Sequence, residues 1–379
     1  MRIYAAEIMC GIGGATRGFL DAGIQVIRGV DTDEACKKTY EENNKPATFL
    51  QRDIRELTVE ELLAGTKLEE NDKFVLIACT PCQPFSRAGV KKPKDSKSLF
   101  SAITDLMYEI KPDFVFAENA SGFQKVHPDI YEEFLKPYSD LGYHFQSDVI
   151  NLKEYGVPQN RPRYLFIASR DYEISLPRKT HGKGLLPYVT VRKIIKKYPP
   201  LRHGKESKVV PNHTCYNLSE ITLERLRHTP KNGGSRSAWP SRLVLKCHRN
   251  SKGHSDVYGR MQWGKVGPTL TCRCISVSNG RFAHPTQNRG ISVREAAALQ
   301  TFRDDFIFYE PKSVAARHIG NAVPPLVASL FARRIVEIVC KNTEIPIKHT
   351  TNLGALMTNA VCTGPTVSPS PVTIFTRIN

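Results

Sequence analysis

Cys82 stands in the run Cys79-Thr80-Pro81-Cys82-Gln83-Pro84-Phe85-Ser86, flanked by prolines and followed by a polar glutamine. A structural cysteine sits among apolar neighbours, whereas a thiol in a proline-bounded loop is reachable, as a nucleophile must be. The same run holds a Cys-x-x-Cys, so a redox pair of Cys79 and Cys82 is the competing chemistry. Farther along come a carboxylate beside an amide, Glu118-Asn119, and the segment Gln159-Asn160-Arg161-Pro162-Arg163. Its two arginines, at i and i+2, point the same way on an extended chain and can face one site. Near the start, Met9-Cys10-Gly11-Ile12-Gly13-Gly14 lets backbone approach a ligand before a helix begins. Asp31 is placed to hold ribose hydroxyls, and Asp53 is a second acid of this kind. The glycine spacing is not the dinucleotide pattern, since the third glycine directly follows the second. It suits a nucleoside cofactor that carries no pyrophosphate.

These residues become one site only if the chain brings them together. The first 170 residues alternate strand-like and helix-like stretches. The strands are expected at Arg2–Ile8, Gln25–Val30, Ala47–Gln51, Phe74–Ala78, Phe114–Ala117 and Tyr164–Ser169. The helices are expected near Ala15–Asp21, Glu34–Asn43, Val59–Ala64 and Leu99–Ile110. The continuous apolar run Phe74–Ala78 reads as a buried parallel strand, and the alternation as a doubly wound, mostly parallel α/β sheet. In such sheets ligands bind beyond the carboxyl ends of the strands. Each of the first five strands is followed there by one of the residues above.

The formal net charge of +17 is concentrated in one place. Residues 178–289 hold 23 Lys/Arg against 4 Asp/Glu, and the remaining chain 31 against 33. Such a block attracts a polyanion, with nucleic acid the leading partner; an acidic protein or a membrane surface also fits the charge. The block is rich in Pro and Gly, with β-like pieces at Arg242–Cys247 and Thr269–Arg273. It reads as a smaller, irregular or β-rich second domain. Helices return at Val293–Thr301 and Pro325–Cys340. Cys215, Cys247, His248, Cys272 and Cys274 match no finger or ribbon spacing, so no metal is expected. No apolar run of about 18 residues exists to span a membrane. The N-terminus has no secretory pattern, so a reduced, cytoplasmic setting is expected.

Taken in order, these motifs resemble those of the cytosine-5 DNA methyltransferases, from Ile8 to about Ile338 apart from the basic segment. Gly11-x-Gly13-Gly14 is similar to the family's S-adenosylmethionine loop, and Pro81-Cys82-Gln83 with Ser86 to its catalytic motif. Glu118-Asn119 resembles its Glu-Asn-Val motif, and Gln159-x-Arg161-x-Arg163 its Gln-x-Arg-x-Arg motif. Arg294-Glu295 with Leu299-Gln300, and Gly320-Asn321-Ala322-Val323-Pro324, complete the set. Met9, Cys79, Thr80 and Ala120 depart from the usual residues, but none removes a reacting group.

The resemblance implies a Rossmann-like S-adenosylmethionine-dependent enzyme that methylates carbon 5 of a cytosine flipped out of duplex DNA, through a covalent Cys82 adduct. Glu118, Arg161 and Arg163 would hold the base. Met9, Gly11, Gly13, Gly14, Asp31, Thr32, Asp53, Ile54, Pro81, Leu99, Asn321, Ala322 and Val323 would hold the cofactor. The organisation implied is a catalytic domain over 1–177, a target-recognition domain over 178–289 and a segment over 290–343 that folds back. A flexible tail over 344–379 would follow. Gln83 and Ser86 would touch DNA, and residue chemistry adds Arg236, Trp239, Arg249, Tyr258, Arg260, Gln262 and Arg273. The implied setting is a monomer in a prokaryotic or phage-infected cell, with a restriction endonuclease of the same site as a partner. An RNA cytosine-5 methyltransferase and a catalytically silent DNA-binding relative stay open as alternatives.

Overall fold

The computed structural model describes residues 1–80, 96–126, 128–249 and 255–342, with the helical backbone alone for 96–98. Pro81, Cys82, Gln83, Ser86 and the expected tail lie outside the described residues. The strands are β1 (Ile3–Ile8), β2 (Gln25–Asp31), β3 (Thr48–Gln51), β4 (Lys73–Ala78), β5 (Phe114–Ala120), β6 (His144–Asn151), β7 (Gln159–Asn160), β8 (Pro162–Ser169) and β9 (Gly267–Pro268). The helices of the first half are α1 (Gly14–Asp21), α2 (Lys37–Asn43), α3 (Val59–Leu63), α4 (Ser96–Ile110), α5 (Phe123–Val126) and α6 (Pro128–Asp140). Those of the second half are α7 (Val191–Ile195), α8 (Glu220–His228), α9 (Val293–Leu299), α10 (Lys312–Asn321) and α11 (Pro325–Asn342).

Seven strands form one sheet in the order β3-β2-β1-β4-β5-β8-β6. The first five run parallel, and β8 inserts antiparallel between β5 and β6. Alternate residues of the central strands feed separate cores on the two faces. Ala5, Val75, Ile77 and Phe116 pack toward α1 and α11 on one face. Ala6, Leu76, Val115 and Phe166 pack toward α4 and α6 on the other. Burial on both faces explains why β1, β4 and β5 read as near-continuous apolar runs. The edge strand β6 is largely exposed along His144–Asn151; with no apolar run to announce it, the sequence reading missed it.

The order reverses between β1 and β4, so the loops leaving these neighbours diverge and open a crevice. The second half closes over it. Helix α11 lies so close on α1 that a Cβ at Gly18 would stand 2.4 Å from the Pro325 carbonyl oxygen.

The basic segment is irregular rather than stranded. The expected β-like pieces are absent: Ser241–Leu243 and Lys246–His248 are 3-10 turns, and Thr269–Arg273 follows β9 without forming a strand. A small core of its own joins Leu226, Trp239, Leu243, Val257, Tyr258, Val277 and Ala283. A segment without ladders leaves many carbonyls unpaired, and buried carbonyls must find donors. Arginine supplies them. Arg260, 1% exposed, donates to the carbonyls of Thr229 (3.0 Å), His284 (3.0 Å), Gln287 (2.6 Å) and Leu226 (2.7 Å). Arg294 does likewise for Pro211, Arg303 and Phe306, and Arg289 grips Glu295 through two bonds of 2.6 and 2.8 Å.

Candidate active site

The crevice is a cavity of about 540 Å³ lined from five strand ends and from the C-terminal segment. Of the residues expected to hold a cofactor, Met9, Gly11, Gly14, Asp31, Thr32, Asp53, Ile54, Leu99, Asn321, Ala322 and Val323 all line it. Pro81 lies outside the described residues. Gly13 is not on the wall; it turns the chain into α1 at φ +79°, where a Cβ would meet Asn44 at 2.4 Å and the Tyr40 ring at 2.8 Å. Its need for glycine is steric and conformational.

Asp31 ends β2 and accepts the Gly11 N–H on Oδ2 (2.8 Å) and the Asp33 N–H on Oδ1 (2.9 Å). These bonds fix a carboxylate against the glycine loop while leaving it lone pairs for further donors. Asp53 accepts from the Arg55 backbone (3.0 Å) and Nε (2.9 Å), and this pairing holds its carboxyl below the usual range. Polar groups in the first turn of α1 are engaged within the protein. The Thr16 N–H and hydroxyl both go to Glu7 Oε2, and a Cβ at Gly14 would stand 2.4 Å from the Val323 carbonyl oxygen. The cavity is large enough for a nucleoside. Glu7 lines it too, its carboxyl pushed up to about 8 by burial. The sequence reading missed Glu7, although one acid inside the apolar run Ile3–Ile8 was a visible signal.

Glu118 lies within β5 rather than after it, 3% exposed, opposite Leu165 of β8; Ala120 is opposite Arg163. Glu118 and Arg163 are thus diagonal neighbours on one face of an antiparallel pair. Arg163 Nε stands 2.9 Å from Glu118 Oε1 without the alignment of a hydrogen bond. Burial raises the Glu118 pKa, and Arg163 and Arg161 oppose the rise. Burial outweighs the arginines, and a carboxyl that takes up a proton can donate as well as accept.

Arg161 also lines the cavity but is used differently from the expectation. It is 1% exposed and donates to the carbonyls of Leu270 (2.9 Å), Gly320 (3.0 Å) and Ala322 (3.2 Å). Gln159 donates to Leu299 O (2.9 Å) and Gln300 Oε1 (2.5 Å) and accepts from Leu270 N (2.8 Å). Gln300 in turn donates to Ala322 O at 2.6 Å. The segment Gln159–Arg163 therefore has two tasks. Gln159 and Arg161 tie α9 and the Gly320–Val323 loop to the sheet, and Arg163 faces Glu118. Asn119, on the opposite face, donates to the Thr80 hydroxyl and anchors the chain where it enters the Cys82 loop.

The residues chosen as DNA contacts from chemistry alone fare worse. Arg260 is sealed by the carbonyls described above. Trp239, 7% exposed, donates its indole N–H to Thr229 (2.8 Å) and packs edge-on to Tyr258, itself 8% exposed. These three are core. Arg236 and Gln262 are half-buried, whereas Arg249 and Arg273 are exposed. Gln83 and Ser86 lie outside the described residues.

An open parallel sheet with a nucleoside-sized crevice at its switch point, a buried carboxyl and an arginine on its wall defines a group-transfer enzyme of the Rossmann-like class. The chain matches the C-5 cytosine-specific DNA methylase family over residues 3–337 and belongs to that family. It is 35% identical to the type II methylase M.HgiDII of Herpetosiphon aurantiacus, over 87% of this chain and 94% of that protein. It is 32% identical to the type II methyltransferase M1.HphI of Haemophilus parahaemolyticus, over 89% and 88% of the two chains. In fold it is similar to a putative DNA modification methyltransferase encoded within a prophage (E. coli), with TM-score 0.70, 23% identity, and 89% and 99% of the chains covered. It is a DNA (cytosine-5) methyltransferase of the type found in restriction-modification systems. The family's covalent cysteine chemistry and base flipping come with that membership.

Proposed function

We propose that S-adenosylmethionine occupies the cavity, with Asp31 on the ribose hydroxyls, Asp53 and Ile54 at the adenine edge, and Thr32 and Leu99 along the adenine faces. Asn321 and Val323 close the methionine end, and Ala322 completes the wall. The observation that supports this reading is the Asp31 carboxylate held against the Gly11 loop on the wall of a nucleoside-sized space. When bound, the cofactor supplies an electrophilic methyl group on a sulfonium.

The residues of the chain do the rest. The Cys82 thiolate adds to carbon 6 of the cytosine, and the Cys82–carbon 6 bond makes carbon 5 nucleophilic. Glu118 donates its proton toward ring nitrogen 3 and accepts from the exocyclic amine, stabilising the charge that develops on addition. Arg163 holds the base at its oxygen and Arg161 keeps the surrounding loops in register. After methyl transfer, carbon 5 loses its proton and the bond to Cys82 breaks. The base must first leave the stack, at a cost of a few kcal/mol. Residues 178–289 form the target-recognition domain between a catalytic domain (1–177) and a returning segment (290–343). The exposed Arg249 and Arg273 neutralise phosphates or read bases. The enzyme acts as a monomer on duplex DNA in the cytoplasm, beside an endonuclease of the same specificity.

The test is transfer of labelled methyl groups from S-adenosylmethionine to mixed-sequence duplex DNA, beside bulk tRNA, with Cys82→Ala as control. Label in DNA that disappears in the variant supports the reading. Label only in tRNA overturns the substrate, and label that survives in the variant overturns the role of Cys82.

A further inference from the structure

One cluster on the wall of the same cavity is given no step in the proposed methyl transfer. We propose that Asp33, Cys36 and His318 bind a divalent transition-metal ion of the zinc class. Asp33 and Cys36 lie in the connection from β2 to α2, and His318 lies on α10, 282 residues beyond Cys36 in the chain. No spacing rule could have joined them. Among the described residues theirs is the one group of three His, Cys or acidic side chains whose ligand atoms converge, all within 4.8 Å of one another.

The separations fit the coordination chemistry. Zinc bonds of about 2.3 Å to sulfur and about 2.0–2.1 Å to nitrogen or oxygen, at tetrahedral angles, set S···N at about 3.5 Å and N···O at about 3.3 Å. Cys36 Sγ lies 3.5 Å from His318 Nε2, and Asp33 Oδ2 lies 3.1 Å from the same nitrogen. The other ring nitrogen, Nδ1, is 2.9 Å from Glu310 Oε1. Glu310 is buried and is itself held by the Thr39 hydroxyl. A carboxylate on the far nitrogen is the arrangement that orients metal-bound imidazoles and directs their free nitrogen at the ion. Thiolate with imidazole and a single carboxylate selects zinc-class ions over calcium or magnesium, which take oxygen.

A cationic group already bridges two of the three proposed ligands. Arg317 Nη2 is 2.7 Å from Asp33 Oδ2 and 3.3 Å from His318 Nε2. Its side chain is 46% exposed, so it can swing into solvent, and a metal entering must displace it. On binding, the Cys36 S–H bond breaks, an S–metal bond forms and the proton leaves to solvent. The ion would pin α10, which ends at Asn321 just before Ala322 and Val323, to the connection that follows Asp31.

The experiment is titration of the full chain, stripped of metal by a chelator, with Co²⁺ followed by absorption. The expected result is one equivalent giving a thiolate-to-cobalt charge-transfer band and the intense visible bands of four-coordinate cobalt, erased by Zn²⁺. The band should vanish in Cys36→Ser and in His318→Gln and persist in Cys247→Ser, whose thiol is exposed elsewhere. Arg317→Ala should bind at least tenfold more tightly, a result that does not depend on how well the buried Cys36 variant folds. Absence of the band in both wild type and Arg317→Ala, or a band that survives His318→Gln, overturns the proposal. Either result leaves methyl transfer untouched, because no step above uses a metal.

Discussion

At the rim of the sheet, Arg163 faces the cavity beside a buried carboxyl, whereas in the basic segment Arg260 is enclosed by backbone carbonyls. The same side chain faces the proposed reaction space in one region and serves architecture in the other. Backbone satisfaction explains the difference. Strands β1 to β5 pair their own N–H and C=O groups, so polar side chains at their ends are available for a ligand. Among the described residues, 170–292 have almost no ladder, and Arg260, Arg289, Trp239 and Tyr258 are drawn inward as donors and packing mass. A charge count over residues 178–289 therefore overstates the surface that DNA meets, since Arg260 and Arg289 are buried.

The contrast can be broken by mutation. The largest effect belongs to Cys82→Ala, which should lower the methyl-transfer rate by roughly 10⁴-fold or more, because a nucleophile has no substitute. In the other region Arg260→Met should leave folding, not chemistry, impaired: unfolding free energy falls by about 3–5 kcal/mol, as expected when one side of a buried charged network is removed. Thermal melting read alongside the rate per folded molecule separates these two outcomes. An Arg260 variant of unchanged stability but altered DNA specificity would reverse the assignment.

How much of this was legible beforehand follows the same division. The rim residues could be found because each sits at the end of a strand whose apolar run is visible, and topology then gathers them. Glu118 and Asp31 needed no knowledge of packing. Arg161 was readable as a member of the site but not as a tie between loops, because its partners Leu270, Gly320 and Ala322 are distant in sequence. Trp239 and Tyr258 misled because an aromatic in a basic, irregular stretch looks like a base contact until a local core is seen around it. Strand β6 and helices α6 and α10 escape the sequence reading: the strand is exposed, and in α6 the helix breaker Pro137 obscures the one-turn spacing of Ile130, Phe134 and Tyr138.

Smaller effects sharpen the comparison. Glu118→Gln should lower kcat by about 10²–10³-fold, the usual cost of losing a preorganised donor or proton source, with cofactor affinity little changed. In the proposed mechanism the protonated form of Glu118, whose pKa is raised by burial, is the active one. The rate should therefore fall as pH rises through that value, and the limb should be absent in the variant. Glu7 gives the corresponding stability test. Its native carboxyl titrates at about 8, above its ordinary value of 4.5, so its contribution is complete below that ordinary value and is lost as pH climbs toward 8. Between pH 5 and 8 the wild type should lose roughly 2–4 kcal/mol more stability than Glu7→Gln, measured by denaturant unfolding. Least of all, Arg273→Ala and Arg249→Ala should change stability by less than about 0.5 kcal/mol. Each should also reduce the slope of log affinity against log salt by about 1 if it meets a phosphate.

The most direct test of the central claim, that the rim forms a covalent bond through Cys82 to a flipped cytosine, uses duplex DNA carrying 5-fluorocytosine at the methylated position. Fluorine cannot leave carbon 5 as a proton does, so with S-adenosylmethionine present the adduct cannot resolve. The account predicts a DNA–protein complex that survives denaturing gel electrophoresis for wild type and Arg249→Ala alike and is missing for Cys82→Ala. A wild-type enzyme that methylates ordinary duplex DNA yet forms no such complex, or a complex that persists in Cys82→Ala, would contradict it.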